Sequence, residues 1–244
     1  MGAATSASTD LDSVSELYPK IFPLHGVRLS YITEFIESHG GRAAFEGWTS
    51  DDVCKKIFVR ETERLKCSYV DLLRAAKHPA YTREGRADVF ISHAWKYIFL
   101  DLVDTLLHHF STTQQPDIVV WFDGICINQH TVSEWWSTAS TYEGIREIGY
   151  TVMVLSPWQD PIPLKRAWCL YELYCTHKSK SKFEVALGEV GQRQLIETLK
   201  STNSITALNK MLAEIDVGKS KAEKESDRIS IFETVERESV AFLN

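Results

Sequence analysis

Nowhere in the 244 residues does an apolar run approach the length of a membrane span, which takes about 20 residues. No secretory signal peptide is read at the start either, so no stable membrane insertion is expected. Positive charge is also short: 27 Lys and Arg stand against 33 Asp and Glu, a net charge of −6. No basic stripe with interleaved aromatics appears, which argues against a nucleic-acid surface. Cysteine is sparse, with five residues at Cys54, Cys67, Cys126, Cys169 and Cys175. An odd number without a CxxC pair excludes a disulfide framework and a zinc site, and reads as reduced thiols of a cytoplasmic protein. There is no GxGxxG after a strand and no GxxxxGK[ST], so neither a dehydrogenase-type dinucleotide fold nor a P-loop is supported. The eight histidines form no HxH or HExxH pattern, and no metal site is expected.

What is present is an alternation of apolar runs and helical stripes. Residues 1–12 are small and polar and read as a disordered start. Met1-Gly2 with Ser6 fits an N-myristoylation pattern, without a polybasic cluster to reinforce one acyl chain. Residues 13–85 read as a helical N-terminal module. Leu29, Ile32, Phe35 and Ile36 make one stripe, stopped by Gly40-Gly41, and Thr49-Ser50 caps a second helix led by Asp51-Asp52. Val53, Ile57, Tyr69, Leu72 and Leu73 continue that spacing to about Lys77, and these stripes are expected to pack on the following domain.

Residues 86–190 carry the alternation of strand and helix. Apolar strands are read at Arg86–Ser92, Ile118–Phe122, Tyr150–Leu155 and Phe183–Leu187. Between them lie helical stripes through Leu100–Phe110 and Trp135–Ile148, and a helix beginning near Pro163–Arg166. Such alternation implies right-handed crossovers and an open parallel α/β sheet. Residues 191–244 read as a helical C-terminal extension, with helices at Gln192–Lys200, Ile205–Ile215 and from Lys219 onward. The charge-dense Lys219–Arg228 is expected to be a solvated helical face. The sequence stops, still apolar, at Phe242-Leu243-Asn244, which reads as a piece of a longer protein.

One residue stands out against this pattern. Glu172 lies in a helix with Ala167, Trp168, Leu170, Leu173, Tyr174 and Cys175, apolar nearly all round. Its neighbours three and four residues away are Trp168, Cys169, Cys175 and Thr176, so no local cation pairs with it. Such a carboxyl must find a distant partner, stay protonated or face a cleft. A structural acid and a functional acid are both open at this point.

Strand, Ser156-Pro157, loop and then Trp168-Cys169-Leu170-Tyr171-Glu172-Leu173 resembles the WCLxEL segment of Toll/interleukin-receptor homology (TIR) domains, plant-type ones above all. DVFIS at 88–92 and VVWFD at 119–123 resemble the first two strands of that family. The resemblance covers about Arg86–Gly188. It implies a flavodoxin-like TIR fold, cytoplasmic signalling or innate immunity, and self-association with like domains that completes the site from a neighbouring subunit. It also implies an NAD glycohydrolase, with Glu172 matching the catalytic glutamate and NAD as substrate rather than cofactor. The loop Gly124–His130 departs from the usual assembly loop of the family, and Ser92–Trp95 departs from its plant consensus. The alternative is a non-catalytic interaction module.

Open parallel sheets bind ligands beyond the carboxyl ends of their strands. That rule selects His93, Trp95 and Tyr97 after the first strand, Asp123 with Cys126 and Asn128 after the second, and Ser156 and Trp158 after the third. Such a set can stack a flat base and hydrogen-bond a ribose, and Trp168 joins it at the head of the WCLYEL segment. Each has a structural alternative: Asp123 as a turn residue, Ser156 as a strand terminator, Trp95 and Trp158 as core, His93 as a satisfied buried ring. Cys126 with His130 has the makings of a thiol nucleophile but no evident orienting group. The implied chemistry breaks the nicotinamide–ribose bond through an oxocarbenium-like sugar, which a carboxylate stabilises. The product is ADP-ribose or a cyclic variant.

Overall fold

The computed structural model describes residues 22–78, 86–115, 118–132, 136–201 and 219–243, with positions 206 and 209. The expectations for the polar start, for Gly2 and for most of the helix at 205–215 fall outside the described residues.

Three short parallel strands make the centre: β2 (Val89–Ser92), β3 (Val119–Trp121) and β4 (Tyr150–Val154). Every residue in them is buried. Continuous apolar, β-branched runs suit strands covered on both faces. β5 (Lys182–Ala186) adds a parallel edge beside β4. A two-residue strand, β1 (Val27–Arg28), pairs antiparallel with β3 on the other side. The order is β1-β3-β2-β4-β5, a five-stranded, mostly parallel open sheet. The α/β class read from the alternation is therefore the observed one. The stripe from Leu29 to Ile36 is helix α1 (Leu29–Ser38), and the strand β1 just ahead of it was not read from the sequence.

The approach of β1 is close. A Cβ on Gly26 would sit 2.3 Å from the Val120 carbonyl oxygen. Leu29 N donates to Ile118 O at 2.9 Å just beyond it. Ahead of Gly26, Phe22 stacks on Trp121 with ring centroids 4.8 Å apart, and Phe90 stacks on the same indole at 4.7 Å. The Trp121 indole N–H donates to Pro23 O at 2.6 Å. Gly26→Ala is expected to lower stability by about 1–3 kcal/mol, because the added methyl meets backbone that cannot yield without moving β1. Urea unfolding measures it, and an unchanged midpoint would mean that this packing carries no weight.

The helices α2 (Ser50–Val53), α3 (Val59–Thr62) and α4 (Tyr69–Ala75) follow α1. Thr49 caps α2 through a reciprocal box with Asp52. One π turn, Cys54–Phe58, joins α2 to α3. Val53 and Leu73 are buried in the cluster that includes the sheet, and Ile57 and Leu72 pack on it half-buried. Helix α5 (Phe99–Thr112) covers the sheet through Leu102, Val103, Leu106 and Phe110. The one-turn helix α6 (Asp123–Cys126) follows β3 directly. α7 (Thr138–Ile148) is capped by Ser137 and ends at Gly149, whose φ of 76° is the left-handed turn that suits glycine. A 3₁₀ turn, Ile162–Lys165, leads into α8 (Ala167–Lys178). α9 (Glu189–Lys200) and α10 (Glu225–Leu243) complete the described helices. No described helix is long and apolar enough to cross a membrane.

Candidate functional site

Strand β2 enters the sheet first among the parallel strands and lies between β3 and β4. The chain therefore reverses its direction of winding there, and a crevice opens at the carboxyl ends. A cavity of about 320 Å³ occupies this place. Its walls come from the loop after β2 (His93, Trp95), from the start of α6 (Asp123), and from the first turns of α8 (Trp168, Cys169, Glu172). Arg166, just ahead of α8, joins them, with Gln129 and Trp136 on another side. The remaining wall is Glu223, Lys224 and Asp227, from the C-terminal segment of the same chain.

Glu172 is half-buried and faces this cavity. Since α8 starts at Ala167, Glu172 stands five residues in, about 7.5 Å along the axis. That is shallow enough to reach the strand ends. Ser92, the last residue of β2, donates its hydroxyl to Glu172 Oε2 at 2.5 Å. Desolvation dominates the electrostatics and pushes the carboxyl up from its usual 4.5 to about 8. The Ser92 hydrogen bond and Arg166 oppose that rise, while Asp123 adds to it. At neutral pH the acid is mostly protonated, with no ion-pair partner among the described residues.

Asp123 organises the opposite wall. It accepts the Trp95 indole N–H, and its Oδ1 accepts the Gly124 amide at 2.7 Å. His93 Nε2 lies 3.9 Å from the same carboxylate, too far for a hydrogen bond. The His93 ring is buried, stacks on Phe122 at 4.6 Å, and has no hydrogen-bond partner at either nitrogen among the described residues. Burial holds the imidazole below its usual pKa; Asp123 and the Ile91 backbone pull the other way. A neutral, unpartnered ring in a cavity wall can accept or donate one hydrogen bond to a ligand.

Trp168 packs against Trp136 and Tyr171, and its indole N–H donates to Asp227 at 3.2 Å. The C-terminal segment is stitched on just ahead of α8. Ala167 N donates to Lys221 O, and Lys221 N to Lys165 O, both at 2.9 Å. Farther along, Glu238 accepts from Tyr174 and Lys178 at 2.6 Å. The expected solvated face at Lys219–Arg228 is thus corrected in part: Glu223, Lys224 and Asp227 line the cavity.

His93, Trp95, Asp123, Trp168 and Glu172 come together as read from the sequence. Tyr97, Ser156 and Trp158 do not line the cavity. Tyr97 is buried, where its hydroxyl donates to Val154 O at 3.3 Å and accepts the Ser156 amide at 2.9 Å. It braces the end of β4, and Ser156 points its backbone there from an exposed turn. Trp158 is buried apart from the site.

Cys126 is fully buried and receives the Phe122 amide at 3.4 Å, while His130 bonds to Thr62 at 2.9 Å. Burial pushes the Cys126 thiol well up, so the pair makes no thiolate. Cys169 is likewise buried and pushed up. Asn128 ties its loop to Lys66 O at 2.7 Å instead of facing the cavity. Among the described residues no group of three or more His, Cys, Asp or Glu side chains is arranged to hold a metal ion.

Arg166, Gln129, Trp136 and the C-terminal wall were missed in the sequence. Arg166 is six residues before Glu172, outside the three- and four-residue neighbours where a helical partner is sought. No protein-family model, curated protein or solved structure matches the chain.

Proposed function

We propose that the chain is a TIR-type NAD glycohydrolase whose catalytic residue is Glu172. The observation that carries this reading is a desolvated carboxyl facing a cavity at the sheet's switch point, hydrogen-bonded to Ser92 and without an ion pair among the described residues. A buried acid beside aromatic walls marks a candidate functional site, and once ionised its carboxylate, little screened by water, can stabilise a cation that forms only in the reaction.

NAD enters with its nicotinamide ring already positive. The C1′–N1 bond breaks, its electron pair neutralises the ring nitrogen, and nicotinamide leaves without needing a proton. The sugar carbon takes the positive charge, and ionised Glu172 stabilises it across the ribose hydroxyls. Water then adds at C1′ and loses a proton, giving ADP-ribose; attack by the adenine of the same molecule gives the cyclic variant. The cationic ring itself favours the ionised form of Glu172 on binding. Trp95, Trp136 and Trp168 supply faces for a flat ring, and His93 a hydrogen bond. At about 320 Å³ the cavity is small for a ligand site, so it takes the reacting half of the dinucleotide.

The resemblance implies completion of the site by a neighbouring subunit. Here Glu223, Lys224 and Asp227 of the same chain supply the open wall. Nicotinamide release per mole of chain is therefore expected to stay constant over a hundredfold range of protein concentration. A steep rise would restore the neighbouring subunit to the site.

A second reading, an interaction module for like domains, has its own support. Phe183 and Val185 on edge strand β5, and Val190, Ile196 and Leu199 on α9, are exposed apolar side chains. Such patches mark association surfaces. Sedimentation over the same concentrations tests it: a chain that assembles yet releases no nicotinamide supports the module alone.

A further inference from the structure

The cavity wall holds a cation, Arg166, whose part so far is only a secondary pull that favours ionised Glu172. Arg166 is mostly buried, its side chain only 16% exposed, and its ion pair is with Glu223 at 3.8 Å. Glu223 is 73% exposed. A contact that long, to a carboxylate that solvated, contributes little and is easily given up. A guanidinium presents five donors in a flat fork that fits the paired oxygens of a phosphate. The backbone that presents it is fixed. Arg166 closes the 3₁₀ turn, caps α8 in an extended conformation, and bridges to Lys221. Lys224 brings a second cation to the same wall. The buried His93 ring lines the same cavity, and its nitrogens have no hydrogen-bond partner among the described residues.

We propose that Arg166 is the phosphate-binding residue of this cavity and that Glu223 is its displaceable counter-ion, so that the C-terminal segment selects phosphorylated nucleosides over unphosphorylated ones. The proposal rests on the reading of the cavity as a nucleotide site, and names the part of the ligand that the reading leaves unassigned. Binding exchanges one partner for another at Arg166: the ligand's phosphate oxygens take the guanidinium, and Glu223 turns to water. The aromatic walls hold the ring, the phosphate sits at the mouth, and Glu172 lies between them against the ribose. Because the counter-ion is a carboxylate of the chain itself, Arg166 is balanced in the free chain without a bound anion.

The test compares NAD with nicotinamide riboside, which keeps the scissile bond and lacks phosphate. With NAD at pH 9, where Glu172 is largely ionised, Arg166→Gln is expected to raise KM at least tenfold while kcat stays within threefold, and Arg166→Lys to fall between. Glu223→Gln is expected to lower KM severalfold, because the competing carboxylate is gone. For nicotinamide riboside KM is expected to be the same in all four proteins. Melting temperatures read alongside identify a variant that fails to fold, and Glu223→Gln keeps the test open in that case.

An unchanged KM for NAD in both Arg166→Gln and Glu223→Gln overturns the proposal. So does an equal rise for NAD and the riboside. If the wild-type chain releases no nicotinamide, the glycohydrolase reading fails, and calorimetry with ADP decides the phosphate site by itself. Binding that weakens at least tenfold in Arg166→Gln and tightens in Glu223→Gln sustains it. Equal binding by all variants, or none by the wild type, overturns it.

Discussion

Glu172→Gln is expected to lower nicotinamide release from NAD roughly 10²–10³-fold while leaving the fold intact. Glutamine keeps the shape and accepts the Ser92 hydroxyl as the acid does. What it loses is the negative charge that the sugar cation requires. The stability readout separates this from a structural role. An acid in a buried ion pair would leave its partner stranded, at a cost of about 3–5 kcal/mol. Glu172 has no such partner among the described residues, and burial keeps it protonated near neutral pH. Replacing a neutral acid by a neutral amide is close to isosteric, so melting temperatures at pH 5 should agree within a degree or two. A large fall in melting temperature with turnover preserved would make Glu172 a structural acid.

The second large effect is in pH. Turnover needs the carboxylate, and desolvation holds that group up at about 8. The kcat/KM for NAD should therefore rise about tenfold per pH unit below that value and level above it. Burial holds His93 below its ordinary value, which moves its own titration toward the acid end of this rise. Stability runs the opposite way. The folded chain favours protonated Glu172, whereas the unfolded chain releases its proton near 4.5. The folded protein thus binds more protons between these values, and stability falls as pH rises through them. The contribution is fully present below about 4.5 and gone above about 8. The full span is on the order of 5 kcal/mol.

His93 acts in the other direction on the acid side, as do other groups, so the clean comparison is wild type against Glu172→Gln. The variant should match the wild type at pH 5 and exceed its stability at pH 9. A wild type that stays level with the variant across that span would place the Glu172 pKa near that of an ordinary carboxylate.

The sheet was legible because its central strands are short, β-branched and buried on both faces, a pattern that leaves few alternatives once turns bound it. Glu172 was legible for the converse reason, a charge where every neighbour is apolar. β1 was not, because two residues carry no period and the pairing depends on how Gly26 clears Val120. Tyr97, Ser156 and Trp158 follow strand ends as the cleft residues do. Whether such a side chain turns into the crevice or braces the strand is decided by tertiary packing, here by the Tyr97 hydroxyl bridging Val154 and Ser156. The C-terminal wall was hidden by composition. A run of Lys, Glu and Asp reads as solvated, and nothing local in it reports that Lys221 is hydrogen-bonded beside Arg166.

The most direct test of the central claim is nicotinamide release from NAD by the wild-type chain at pH 8.5, run beside Glu172→Gln at equal concentration. The expected result is steady release by the wild type and at least a hundredfold less by the variant. Equal release by both, or none by a folded wild-type chain at any concentration, would contradict it.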